Sequence, residues 1–379
     1  MRVWPARRAP APGAPDDIVL VADLLGRSLA GVLDVQDRHL RAASVIFRGR
    51  LLVPAATAID LLIERFRVLG YEPLMRPGRD DVVIHALPRL RAAERPRVAV
   101  NVILFLLTCL STLVAGAISF ASPTFEPFGT RSLVGQLLTG APFAATLLAI
   151  LGVHEFGHYF TARYYKASVT LPYFIPAPPL VIFGTFGAII RMRSQARDRN
   201  SLFDIAAAGP IAGLLVTIPA IVVGLQWSVV APLPPTGAFH LGESLLMRFF
   251  VYLAFGTLPP GTDVFLHPIA VAGWAGLLVT ALNLFPVGQL DGGRIAYALF
   301  GRRHRTVGMA AFACLLTLAV VTWSPNWLVW AALLFFLVGF HHSPPLDDIT
   351  PLTRGRRLLG FVCLALLVVL LPPVPLQFS

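Results

Sequence analysis

Lysine is nearly absent from this chain: Lys166 is the only one among 31 basic residues, the others being arginine. Charged residues of all kinds make up 13% of 379 positions. So little charge excludes an ordinary soluble surface. Cys109, Cys314 and Cys363 all fall inside apolar runs without a pairing spacing, which excludes a disulfide framework. No apolar h-region follows Met1, so the Arg-, Ala- and Pro-rich start predicts no cleavable signal peptide. Membrane insertion then rests on the first internal apolar run. No internal repeat is evident, and an inverted-repeat transporter loses its usual pointer.

What the chain has in abundance is apolar surface, 56% of its residues. That composition predicts a polytopic α-helical membrane protein. A net charge of +11 invites a nucleic-acid reading, but the arginines gather at the ends of apolar runs and in the N-terminal segment. This is the positive-inside pattern, and no nucleic-acid partner is expected.

Residues 1–17 read as a disordered tail, and 18–97 as a small soluble α+β domain with its linker. Asp17–Leu33 and Ala55–Leu69 carry helical periodicity, the second through Ile59, Leu62, Ile63, Phe66 and Leu69. Ser44–Val53 and Asp81–Leu87 read as strands bounded by turn residues, and Arg91–Arg97 as a charged linker. The membrane domain is 98–379, with spans expected near 98–120, 134–164, 203–226, 268–300, 306–323, 327–341 and 358–375. Six to seven transmembrane helices are therefore predicted, with an interfacial helix at Leu241–Phe255. Arg163, Lys166, Arg191, Arg193, Arg197 and Arg199 fall on one side of this topology, as do Arg302, Arg303, Arg305, Arg354, Arg356 and Arg357. The other side holds only Arg131 and Arg248, so the N-terminus is placed in the cytoplasm.

The second span carries His154-Glu155-Phe156-Gly157-His158. Residues i and i+4 share a helix face, so the two histidines can hold one metal ion, with Glu155 beside them to take a proton from water. Ionisable groups at hydrocarbon depth are costly, which asks for a function. The plainer alternative is a pair of histidines packed between helices. Zinc usually takes three protein ligands and a water, so a third is needed. Asp291 stands out at the end of the fourth span, where Pro286 and Gly288 break the helix. Taken alone, it can also be read as a helix-end acid facing water; its depth, matched to that of the His pair, favours the ligand.

Between the second and third spans, Pro172–Arg193 is apolar but too rich in Pro and Gly for a helix. Phe183–Ile190 reads as an extended strand, expected to be re-entrant. Such backbone is tolerated at membrane depth only where protein or water satisfies it. Its open edge suits an extended peptide, and a plain structural hairpin suits it equally. Ala208-Gly209-Pro210-Ile211-Ala212-Gly213 reads as close helix packing.

These motifs together resemble the site-2 protease family of intramembrane zinc metalloproteases (peptidase M50-like). They are His154–His158, Gly184-Thr185-Phe186-Gly187, Ala208–Gly213, and Asn283 with Pro286 and Leu290-Asp291-Gly292. Within the family, Leu277–Asn283 and Pro286–Gly293 resemble the plastid and cyanobacterial branch linked to ethylene-dependent gravitropism and yellow-green phenotypes. The resemblance implies a catalytic core over 134–300, followed by C-terminal helices over 306–375. It implies Zn2+ held by His154, His158 and Asp291, with Glu155 as general base and then proton donor. Asn283 matches an asparagine that helps hold substrate or oxyanion. Gly184, Thr185, Phe186 and Gly187 match a strand that receives unwound substrate. The function implied is hydrolysis of transmembrane or membrane-anchored proteins within the bilayer. The alternative is a catalytically idle zinc-binding adaptor or chaperone, and an intact Glu155 argues against it. A bis-His haem or ion-translocating protein would want histidines facing each other from different spans. With no transit-like leader before the soluble unit, a bacterial plasma membrane is expected.

Overall fold

Apolar side chains point outward along much of this protein, and that inversion sets the architecture. The computed structural model describes residues 15–41, 44–89, 98–120, 132–178, 181–233 and 239–378. Most of the expected tail, the linker Arg91–Arg97 and Arg131 lie outside these residues. The chain divides into two compact units.

The first unit contains α1 (Pro15–Ser28), β1 (Leu33–Arg41), β2 (Ser44–Leu51), α2 (Ala55–Val68), β3 (Tyr71–Pro77) and β4 (Val82–Pro88). The strands form an antiparallel sheet in the order β1-β2-β4-β3. Leu25 of α1, Leu29 in the turn after it, and Ile59, Leu62 and Phe66 of α2 share one core with Phe47, Met75 and Ile84 of the sheet. The α+β reading holds, and two strands join those predicted. Strand β1 is exposed at every position but Leu33, so it shows no alternation, and β3 contains Pro73 and Pro77. Both lie at sheet edges, where such sequences are tolerated.

The same unit takes in Arg197–Arg199 and Pro344–Pro351 from far along the chain. Met75 N–H donates to the Leu346 carbonyl at 2.7 Å and Asp348 N–H to the Met75 carbonyl at 3.1 Å, which pairs the outer edge of β3. Arg197 bonds Asp60, and Arg199 bonds the buried Asp348 at 2.9 Å. The unit is thus larger than one contiguous stretch, because an unpaired sheet edge needs cover. Phe47→Ala should lower its stability by about 3–5 kcal/mol, since Phe47 is fully buried; thermal unfolding of the purified protein measures this.

The second unit holds the helices. They are α3 (Val98–Ser119), α4 (Leu133–Leu138), α5 (Ala141–Tyr164), α6 (Arg199–Gln226), α7 (Leu245–Phe255), α8 (Pro268–Asn283), α9 (Asp291–Phe300), α10 (His304–Val321), α11 (Pro325–Leu333) and α12 (Arg354–Leu370). Three are long and apolar enough to cross a membrane: Val98–Ser119, Arg199–Gln226, and Asp291–Val321 taken through its 3-10 turn. Leu245–Phe255, Pro268–Asn283 and Pro325–Val338 are shorter apolar helices. In α3 the buried residues are Asn101, Thr108, Thr112, Ala115 and Gly116, while Val102, Ile103, Leu106 and Leu110 are exposed. Polar and small residues inside with apolar ones outside is the pattern of a helix solvated by hydrocarbon. This is an integral membrane protein.

Within the expected span over 268–300 the helix breaks at Pro286 and Gly288, as the sequence implies: α8 ends at Asn283 and α9 begins at Asp291. Pro286 has no N–H to continue the ladder, and Gly288 adopts φ +53°. Asn283 therefore closes one helix and Asp291 opens the next. Between α5 and α6, β5 (Tyr173–Pro176) pairs antiparallel with β6 (Thr185–Ile189). Asn101 of α3, buried in an apolar helix, donates to the Pro172 carbonyl at 2.8 Å and steadies the start of this hairpin.

Candidate metal centre

Helix α5 presents His154 and His158 one turn apart on its buried face, where they are each 4% exposed; Glu155 is 6% and Asp291 8% exposed. The His154 and His158 Nε2 atoms are 3.2 Å apart. Asp291 Oδ2 lies 3.1 Å from the second and 3.4 Å from the first. Zinc at about 2.0–2.1 Å from tetrahedral ligands separates them by roughly 3.3 Å. These three atoms already span one face of such a tetrahedron.

The chemistry of the donors points the same way. His158 Nδ1 lies 2.6 Å from the Ile205 carbonyl oxygen. A carbonyl only accepts, so Nδ1 donates to it and Nε2 is the atom left to face the site. Asn283 Nδ2 lies 3.4 Å from His154 Nε2. Two imidazole nitrogens and a carboxylate oxygen therefore converge on one buried point, the donor set that zinc takes. Among the described residues, His154, His158 and Asp291 are the only group with this arrangement.

Helix α6 backs the site through small residues. A side chain on Gly209 would enter the His158 imidazole, and one on Gly213 would come within 3.2 Å of His154 Nδ1. The Gly209–Gly213 spacing is helix packing, as the sequence implies, but what it packs against is the ligand rings. Gly209→Ala should therefore lower zinc affinity about 10–100-fold, the range seen when groups that orient a ligand are disturbed. Zinc titration beside Leu215→Ala, an exposed site on the same helix, checks this; equal occupancy in both variants would sink it.

The structure brings together His154, Glu155, His158, Asn283 and Asp291. Among the described residues, Gly184, Thr185, Phe186 and Gly187 make no hydrogen bond to these five. Thr185 is buried inside the hairpin, its hydroxyl donating to the Ile175 carbonyl at 2.8 Å, and Phe186 is 64% exposed. The hairpin reaches the centre further on, where the Ile190 backbone lies beside Glu155. Gly184 has φ +67°, and a Cβ there would strike the Ser111 carbonyl of α3. Enlarging Gly184 thus disturbs the seating of the hairpin itself.

Sequence reasoning missed the Ile205 carbonyl, which no residue type announces. It also missed Arg294, three residues beyond Asp291, whose guanidinium contacts Met192 and lies in electrostatic range of Glu155. Its spacing from Asp291 was the available signal.

A His-Glu-x-x-His helix with a carboxylate from a second helix defines a metal centre of the metalloprotease type, here set among apolar helices. Residues 142–322 match the model of peptidase family M50, and the chain carries a domain of that family. It is 34% identical over 349 residues to "Probable zinc metalloprotease EGY2, chloroplastic" of Arabidopsis thaliana, covering 88% of this chain and 61% of that protein. It is 33% identical over 298 residues to "Probable zinc metalloprotease EGY1, chloroplastic" of the same plant, covering 73% of this chain and 53% of that one. The corresponding EGY1 protein of Oryza sativa subsp. japonica is 32% identical over 299 residues, with 73% and 50% covered. The chain thus spans about half to three-fifths of the length of these curated relatives. No solved structure matches it. Zinc is the metal that the family and the donor set both indicate.

Proposed function

We propose that this chain is an intramembrane zinc metalloendopeptidase that hydrolyses peptide bonds of transmembrane or membrane-anchored proteins. The observation that carries the reading is the convergence of three ligand atoms beside a buried Glu155 among apolar helices. His154, His158 and Asp291 hold the metal. Bound zinc supplies the Lewis acidity that acidifies water and polarises a peptide carbonyl. Glu155 takes the proton of the attacking water and passes it to the leaving amine. Asn283 donates its amide N–H to the carbonyl oxygen as that oxygen gains charge. Strand β6 has an edge without a partner strand among the described residues, and we assign it, with Gly184–Gly187, to the substrate backbone. A substrate helix must unwind first, because its carbonyls are occupied by its own hydrogen bonds.

We place six to seven helices across the bilayer, the hairpin re-entrant, the core over 134–300 and the C-terminal helices over 306–375. Residues 18–97 are assigned to a soluble cytoplasmic domain, an orientation supported by the arginine bias. The membrane we assign is a bacterial plasma membrane; the relatives named above are chloroplastic.

Cleavage of a single-span reporter by purified protein in liposomes, wild type beside Glu155→Gln, tests the proposal. An intact reporter with stoichiometric zinc in the wild type would leave the idle zinc-binding adaptor or chaperone. A retained Glu155 supports the protease, since zinc binding alone needs no base.

A further inference from the structure

Arg294 is a cation without an anion. It lies one turn after Asp291 in α9, so it shares that ligand's side of the helix. A guanidinium offers five N–H donors in a planar fork. Among the described residues its one hydrogen-bond partner is the Met192 thioether, 3.8 Å from Nη1, and a thioether sulfur is a weak acceptor. No carboxylate among the described residues lies within ion-pair distance of it. The other arginines near this unit's acids are committed: Arg356, for example, holds Asp204 through two contacts of 2.7 Å. Arg294 is half-buried, where unmet donors are costly.

Its position is as informative as its lack of a partner. The chain leaving β6 runs along the site, with the Ile190 backbone beside Glu155 and Met192 meeting Arg294. A strand laid along β6 toward the metal would run its newly cut end into reach of this fork.

We propose that Arg294 is a substrate-binding residue whose guanidinium takes the carboxylate that hydrolysis creates. This rests on the protease reading above. In that reaction water adds to the carbonyl carbon and the C–N bond breaks. Glu155 passes both protons of the water in turn to the leaving nitrogen, so one product leaves as a carboxylate and the other as an ammonium. The carboxylate is the only new anion, and a planar fork matches it bidentately, as an ammonium does not.

The test compares two short peptides of the same sequence, one ending in a carboxylate and one in a carboxamide. Binding of each is measured by fluorescence anisotropy to full-length, zinc-loaded protein in the Glu155→Gln background, with and without Arg294→Gln. The metal also favours the carboxylate, so the readout is the change in the carboxylate-to-carboxamide ratio. We expect that ratio to fall about 10- to 100-fold on Arg294→Gln and to recover in part with Arg294→Lys. Zinc content and melting temperature should stay at their starting values in the Arg294→Lys protein, which keeps the result interpretable if Arg294→Gln folds poorly. An unchanged ratio in folded, zinc-loaded variants would overturn the inference while reporter cleavage by wild type leaves the protease intact. Failure of wild type to cleave any reporter would remove the protease reading first.

Discussion

Glu155→Gln should abolish reporter cleavage while zinc remains bound. The side chain is nearly isosteric, so packing at this buried position is kept. The amide cannot accept a proton from water, and a positioned general base typically contributes 10²- to 10⁴-fold, so the rate should fall by about that factor. None of the three converging ligand atoms belongs to Glu155, hence the metal should stay. Metal analysis and single-turnover cleavage on the same sample separate the two outcomes. Loss of zinc would make Glu155 structural; full activity would remove the base from the mechanism.

Removing ligands should have the opposite signature. The double variant His154→Ala/His158→Ala deletes both imidazole donors, and purified protein should carry almost no zinc. Asp291→Ala leaves two ligands where zinc prefers three from the protein, so occupancy should fall but not vanish. Melting temperature is informative here. Wild type holds zinc through all three ligands, so chelation should lower its melting temperature more than that of Asp291→Ala. Zinc occupancy in the double variant equal to wild type would move the centre elsewhere.

Much of the centre was legible in the sequence because its parts are local. The i, i+4 histidines and the adjacent acid depend only on helix pitch, and α5 is a helix there. Asp291 stood out as an acid beside Pro286 and Gly288, which also announce the break between α8 and α9. Hydropathy, which averages over a window, ran one span over 268–300, and the break inside it was legible only from Pro286 and Gly288. In the soluble unit, β2 and β4 alternate or run apolar and were visible. Strands β1 and β3 were not, since one is polar along nearly its whole length and the other contains two prolines. Arg197–Arg199 and Pro344–Pro351 could not have been assigned to that unit from composition, because contacts 137 residues apart and more leave no local trace.

By itself the sequence determined the membrane setting, the His-Glu-x-x-His helix and the short set of acids able to complete it. These follow from hydrophobicity and from the period of a helix, both carried by neighbouring residues. Only the tertiary structure decided that Asp291 meets both histidines, that the Ile205 carbonyl orients His158, that Gly209 makes room for its ring, and that Arg294 has Met192 instead of a carboxylate. Each of these depends on which remote backbone comes within a few ångströms, and close packing settles that for the whole molecule at once.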